Sequence, residues 1–169
     1  MSSLRAVRRL KPDPIPDEVM GRVLQAAAWA PTGGNVQPFR IVVVKDQTKL
    51  AGIQTLYDEE WRKYTSAMRK GLESMPEQAR DASQKLLKAG DYLANHMGEV
   101  PALLVFCFNA DLMAITDADM DRPSVVGGGS VYTAAQNVML ACRAEGLGCV
   151  LTTLLCYRES EIKQLLDIP

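Results

Sequence analysis

Apolar and polar positions along the chain change period several times, and each change marks an element. Asp17 and Glu18 precede Val19, Met20, Val23, Leu24 and Ala27, a helical face whose opening acids suit the positive end of the helix dipole. Pro31 ends that helix. A loop over Thr32–Pro38 leads into a strand over Phe39–Val44, closed by the polar turn Lys45-Asp46-Gln47. Leu50, Ile53, Tyr57, Trp61, Tyr64 and Met68 then recur at steps of three or four and predict a second helix. A third follows Pro76, with Leu86, Leu87, Leu93 and Met97 on its buried side. Ala102–Phe108 is apolar at every position, the pattern of an interior strand covered on both faces.

Residues 109–129 are irregular, first acidic and then glycine-rich. Ser130 is the expected N-cap of a helix showing Val131, Ala135, Val138 and Cys142, with Gly146 as its C′ residue. Cys149–Leu155 reads as a third strand and Glu159–Asp167 as a short last helix. Helices alternating with few strands predict an α/β or α+β layered domain, a small sheet sandwiched by helices, spanning residues 1–169 as a single domain.

Composition narrows the function classes. A net charge of −1 gives no field that would draw nucleic acid or an acidic membrane surface. The longest apolar run, Pro101–Phe108, is far short of the roughly 20 residues that cross a bilayer, and no apolar signal core follows the basic N-terminus. A cytoplasmic protein is expected. Cys107, Cys142, Cys149 and Cys156 form no close pair, each lies among apolar neighbours, and His96 is the sole histidine. Buried reduced thiols are therefore expected, and no metal site.

Two segments carry candidate chemistry. Arg5, Arg8, Arg9 and Lys11 place four cations in seven residues before the first acid at Asp13, a set of donors suited to a phosphate or, equally, a solvated basic tail. In Ala30-Pro31-Thr32-Gly33-Gly34-Asn35-Val36-Gln37-Pro38-Phe39, two glycines let backbone approach a planar ligand. Asn35 and Gln37 offer a fixed donor–acceptor pattern, and prolines stiffen both ends. A plain connecting turn fits the same residues.

Arg5-Ala6-Val7-Arg8-Arg9-Leu10, Pro14-Ile15-Pro16-Asp17-Glu18 and the Ala28–Phe39 segment together resemble the N-terminal signature of the FMN-dependent nitroreductase family. Ala134-Ala135-Gln136-Asn137-Val138-Met139-Leu140-Ala141-Cys142, followed by Glu145-Gly146-Leu147-Gly148, is similar to that family's Gln-Asn helix and Gly-Leu-Gly turn. Residues 48–126 carry no comparable signature.

The resemblance implies a nitroreductase-like three-layer α/β/α sandwich and a C2 homodimer with two shared flavin sites. Arg5 and Arg8 would hold the FMN phosphate and ribityl chain, with Arg9 as a helper. Pro31, Thr32, Gly33, Asn35 and Gln37 would reach the isoalloxazine of the partner's site. Thr152, Thr153 and Leu154 would meet the flavin N5 edge. The activity implied is ping-pong transfer of reducing equivalents from NADH or NADPH to a nitroaromatic, quinone or similar small acceptor, with no catalytic acid–base residue. A noncatalytic FMN-binding dimer, reductive dehalogenation and flavin breakdown are the alternatives on the same scaffold.

Departures from the family pattern bear on these expectations. Leu4 and Ala6 stand where the family's arm has arginine and serine, and the C-terminal strand and arm that usually follow are absent after Pro169. Both departures predict a weaker hold on FMN, and the second a weaker dimer. The helix Ser130–Glu145, apolar at Val131, Val138, Met139 and Cys142 and small at Ala134, Ala135 and Ala141, is the expected interface.

Other signals are set aside. Asp117-Ala118-Asp119-Met120-Asp121 imitates a calcium loop, but Arg122 and Gly128 stand where glycine and glutamate are needed, so a solvated acidic loop is expected. Gly127-Gly128-Gly129 lacks the following Gly-Lys-Ser/Thr of a phosphate loop. His96, near a helix end, is a candidate substrate contact or a plain surface histidine. Tyr57, Trp61 and Tyr64 are core positions that could also roof a substrate pocket.

Overall fold

The computed structural model describes all residues, Met1–Pro169, and its contacts separate into two compact units interleaved in sequence. The first comprises residues 1–6, 14–43 and 104–149; the second comprises 7–13, 44–103 and 150–169.

In the first unit, helix α1 (Asp17–Ala28) starts behind Pro16 with both acids in its first turn. It buries Met20, Val23 and Ala27, one stripe at helical spacing. Strands β1 (Phe39–Val44) and β2 (Leu103–Phe108) form a two-stranded sheet. The Asn109 N–H donates to the Pro38 carbonyl at 2.8 Å, so the start of β1 lies beside the end of β2 and the pair runs antiparallel. Helix α4 (Gly129–Ala144) packs on α1 and buries Ala134, Ala135, Val138 and Cys142.

That face explains the unit's core. Small Ala27, Ala30 and Ala134 let the two helices approach, and Val23, Val138 and Cys142 fill the seam over Phe39, Ile41, Leu104 and Phe106 of the sheet. Alternate strand positions point one way, so each strand gives two residues to the core. Burying Val23 completely contributes roughly 1.5–3 kcal/mol. Gly146, at φ 77°, ends α4 as expected. Leu147 N–H bonds to Cys142 C=O at 2.8 Å and Gly146 N–H to Arg143 C=O at 3.4 Å, closing the turn.

In the second unit, Asp46 caps helix α2 (Gln47–Gly71) by accepting the Lys49 N–H at 2.9 Å. Helix α3 (Glu77–His96) follows Pro76, and a short helix α5 (Glu159–Leu166) ends the fold. Trp61 of α2 sits against Gly90 of α3, where an added Cβ would lie 2.0 Å from the indole, so only glycine permits this helix contact. The indole N–H donates to Asp91 at 2.7 Å.

Several expectations are corrected. Cys149–Leu155 is no strand: Cys149 makes one isolated parallel bridge to Ala6, and Leu154–Arg158 coils into a 3-10 turn. An apolar run becomes a strand only beside a neighbour offering a ladder, and Ala6 offers a single pair. Ser130 is not an N-cap, since α4 starts at Gly129 and the capping position is Gly128, two residues earlier. Tyr64 and Leu86 are exposed, while Thr65 is buried. Thr65 can enter the core because its hydroxyl donates to the Trp61 carbonyl at 2.8 Å. β2 is half-buried rather than covered on both faces, with Phe108 exposed. No cysteine forms a disulfide, but Cys156 is exposed rather than buried. Ala134, Ala135, Val138 and Cys142, expected at a subunit interface, are buried within the chain itself. No helix is long and apolar enough to cross a membrane.

Candidate functional site

The segment between α1 and β1 is a shaped loop. Gly34, Asn35 and Gln37 all take positive φ, at 58°, 55° and 53°. Glycine reaches this region without cost, whereas Gln37 gives up of order 1 kcal/mol there and persists only if neighbours hold it. They do. The Thr32 hydroxyl accepts the Gln37 N–H at 3.0 Å, and the Gln37 side chain donates to Asn35 Oδ1 at 3.4 Å.

α4 supplies the rest of the support. Ser130 Oγ accepts the Gly33 N–H at 3.1 Å, the Thr133 hydroxyl donates to the Pro31 carbonyl at 3.2 Å, and Asn137 donates to the Ala26 carbonyl at 3.0 Å. Positions 130, 133 and 137 lie on one helix face, so a single rigid element fixes both the loop and the helix end before it. Pro31, Gly33, Gly34, Asn35, Val36 and Gln37 stay exposed around this scaffold, while Thr32 is half-buried. The polar spacing of Ser130, Thr133 and Asn137 is the signal in the sequence for these supports, although Asn137 stands out there only as half of the Gln-Asn pair.

The loop before α4 has its own anchor. Asp117, expected in solvent, is buried: its carboxylate accepts from the Ser124 hydroxyl at 2.7 Å, the Val125 N–H at 2.8 Å and Arg122 at 2.8 Å. The Ser124 hydroxyl and Val125 N–H lead in holding the Asp117 carboxyl below the usual aspartate range. Asp119 and Asp121 remain exposed, and no group of three His, Cys, Asp or Glu residues is placed to hold a metal ion.

The basic arm is built differently. Arg5 is exposed and Arg8 half-buried, and neither makes a hydrogen bond or ion pair. Arg9 instead lays its guanidinium 4.4 Å from the centre of the Tyr92 ring on α3. His96 stacks on the same tyrosine: the two ring centroids are 4.2 Å apart, and His96 Nδ1 lies 3.0 Å from Glu99 Oε1. The expected strand carrying Thr152, Thr153 and Leu154 is an irregular stretch entering a 3-10 turn, with Thr153 exposed. The Thr152 hydroxyl lies 3.5 Å from the buried Tyr57 hydroxyl, a contact at the outer limit of hydrogen bonding.

Comparison with known proteins gives this arrangement its context. The Nitroreductase family model matches residues 2–169. The chain is 32% identical over 171 residues to the 5,6-dimethylbenzimidazole synthase of Rhodospirillum rubrum, covering 98% of this chain and 71% of that protein. Two local similarities are higher but shorter. The NADH dehydrogenase of Thermus thermophilus is 48% identical over 42 residues, a quarter of this chain (25%) and 20% of that protein. Iodotyrosine deiodinase 1 of Rattus norvegicus is 37% identical over 60 residues, 36% of this chain and 21% of that protein. In structure, the chain superposes on an iodotyrosine deiodinase bound to FMN and 3-iodo-L-tyrosine with a TM-score of 0.71 at 23% identity, over 99% of this chain and 79% of that one. With the family model matched over nearly its whole length, this chain belongs to the nitroreductase family.

Proposed function

We propose that the chain is a cytoplasmic FMN-dependent oxidoreductase that takes reducing equivalents from NADH or NADPH. It would deliver them to a small electron-poor acceptor, a nitroaromatic or a quinone, both substrates using one site in turn. The observation that carries this reading is Arg8, a half-buried residue whose guanidinium has no anionic partner in its own chain. A permanently charged donor fork without a counterion is matched by a phosphate. The exposed loop fits a planar ring on the same grounds, with three positive-φ residues held from behind and free in front.

In this reading residues 1–169 act as one FMN-binding domain within a homodimer. Arg8 and Arg5 bind the phosphate end. Pro31, Thr32, Gly33, Asn35 and Gln37 lie against the ring system in the partner's site, where the fixed loop orients it and excludes water. Thr152, Thr153 and Leu154 present main-chain and hydroxyl groups to its redox edge. When bound, FMN supplies the electron-transfer chemistry, and the protein supplies position and electrostatics.

A second reading is reductive dehalogenation of a halogenated phenol, favoured by the 37% identity to a deiodinase over 60 residues. Purified protein tests both. A yellow preparation bleached by NADPH without air, and recoloured by a quinone or nitroaromatic, supports the first reading. Recolouring by an iodophenol alone, with iodide released, supports the second. A colourless protein that ignores added FMN contradicts both.

A further inference from the structure

We propose that Arg9 is a positioning residue: it clasps the basic arm onto α3 through Tyr92 and leaves the phosphate to Arg8. This role deepens the FMN reading and rests on it for its functional consequence alone. Four groups form a connected chain of contacts within the second unit. The Arg9 guanidinium lies over Tyr92 at 4.4 Å, Tyr92 stacks on His96 at 4.2 Å with their planes 26° apart, and His96 meets Glu99 at 3.0 Å. Tyr92 and His96 are four residues apart, so the helix itself puts both rings on one face.

The neighbouring arginine behaves otherwise. Arg8 is half-buried and unpaired, whereas Arg9 has its planar cation committed to an aromatic face. Residues 5–11 carry four like charges that repel one another, and beyond the isolated bridge at Ala6 no residue of the arm lies in a strand. Something must fix such a segment if Arg8 is to wait in place for an anion. Pro12, Pro14 and Pro16 restrict the chain beyond the clasp, and the backbone bends at Arg9 itself. Pinning the arm in advance raises the fraction of molecules ready to bind, and apparent affinity scales with that fraction.

Replacing Tyr92 with Leu removes the ring but keeps an apolar helix residue; Tyr92→Phe keeps the ring and removes only the hydroxyl. Backbone order parameters for residues 7–11 and the ring-shifted Arg9 side-chain proton signals are read by NMR on the full chain without flavin. FMN affinity is then read by fluorescence titration. A partly exposed cation–π contact corresponds to roughly a two- to fivefold change in an equilibrium. Tyr92→Leu and Arg9→Ala should therefore both loosen the arm, abolish or remove the shifted Arg9 signals, and weaken FMN by about two- to fivefold. Tyr92→Phe should keep all three at wild-type values, and Arg8→Ala should weaken FMN while leaving the arm ordered. An arm as rigid in Tyr92→Leu and Arg9→Ala as in the wild type overturns the clasp. So does an Arg9→Ala loss of affinity as large as that of Arg8→Ala with Tyr92→Leu silent, because Arg9 would then touch the phosphate directly. An arm that loosens as expected while Arg8→Ala binds FMN normally upholds the clasp and removes the FMN reading instead.

Discussion

The loop at residues 31–38 and the basic arm are the two segments assigned to the flavin, and they are built in opposite ways. The loop has its backbone tied by Thr32, Ser130 and Thr133 and holds three residues at positive φ. The arm has one aromatic clasp at Arg9 and cations at Arg5 and Arg8 that pair with nothing. A planar ring is recognised by shape, which has to exist beforehand. A phosphate is recognised by charge, which acts over several ångströms and tolerates a looser frame. The loop's contribution should therefore depend on geometry, and the arm's on cations and salt.

The largest expected effect falls on the arm. Arg8→Ala should weaken FMN at least about tenfold, since a hydrogen bond to a charged group contributes roughly 1.5–3 kcal/mol. Titrating the flavin-free protein at rising salt checks both halves of the claim. Wild-type affinity should fall with salt and the variant should respond less; equal affinities would put the phosphate elsewhere.

A smaller effect is expected in the loop, where shape and contact can be separated. Asn35→Ala forces an ordinary residue to φ near 55°, costing about 1–2 kcal/mol of loop geometry as well as the carboxamide. Asn35→Gly removes the carboxamide and keeps the backbone free to adopt the turn. FMN affinity should fall roughly five- to thirtyfold in the first and clearly less in the second. Equal losses would mean that the side chain, not the shape, carries the interaction.

The smallest effect concerns the loop before α4, which pH should separate from the arm. The Asp117 carboxyl has a folded pKa below its ordinary value, held there first by Ser124 and Val125. Its stabilising contribution is therefore complete above the unfolded value of about 4 and drains away as pH falls from there through the folded value. Lowering pH below about 4 should reduce the protection of the Val125 amide, relative to its intrinsic exchange rate at each pH, because its partner is that carboxylate, and Asp117→Asn should flatten the dependence. The contact of Arg9 with the Tyr92 ring uses no carboxylate, so the arm's order should not follow the same curve. Parallel loosening of both regions would deny that they are held independently.

Much of this architecture was legible in the sequence, for identifiable reasons. β1 is bracketed by Pro38 and the Lys45-Asp46 turn, and Asp46 caps the next helix. Gly146 marks the end of α4 because only a left-handed residue closes that turn. The loop motif was readable because glycine, asparagine and proline declare their backbone needs locally. The features that escaped depend on partners distant in sequence. Cys149–Leu155 has strand composition but only Ala6 beside it. Asp117 is buried because three donors reach its carboxylate, and Thr65 because its hydroxyl finds a helix carbonyl. Arg8 and Arg9 look alike in sequence, and only the fold gives Arg9 a ring and leaves Arg8 without a partner.

The central claim is that each flavin site takes its arm from one chain and its loop from the partner. Coexpressing an Arg8→Ala chain with an Asn35→Ala chain and purifying the mixed dimer tests it most directly. One of the two sites would then carry both lesions and the other neither. The account predicts recovery of about half the wild-type FMN per dimer, with wild-type affinity at that site. Mixed dimers that bind no better than either parent would contradict it, because arm and loop would then serve a site within one chain.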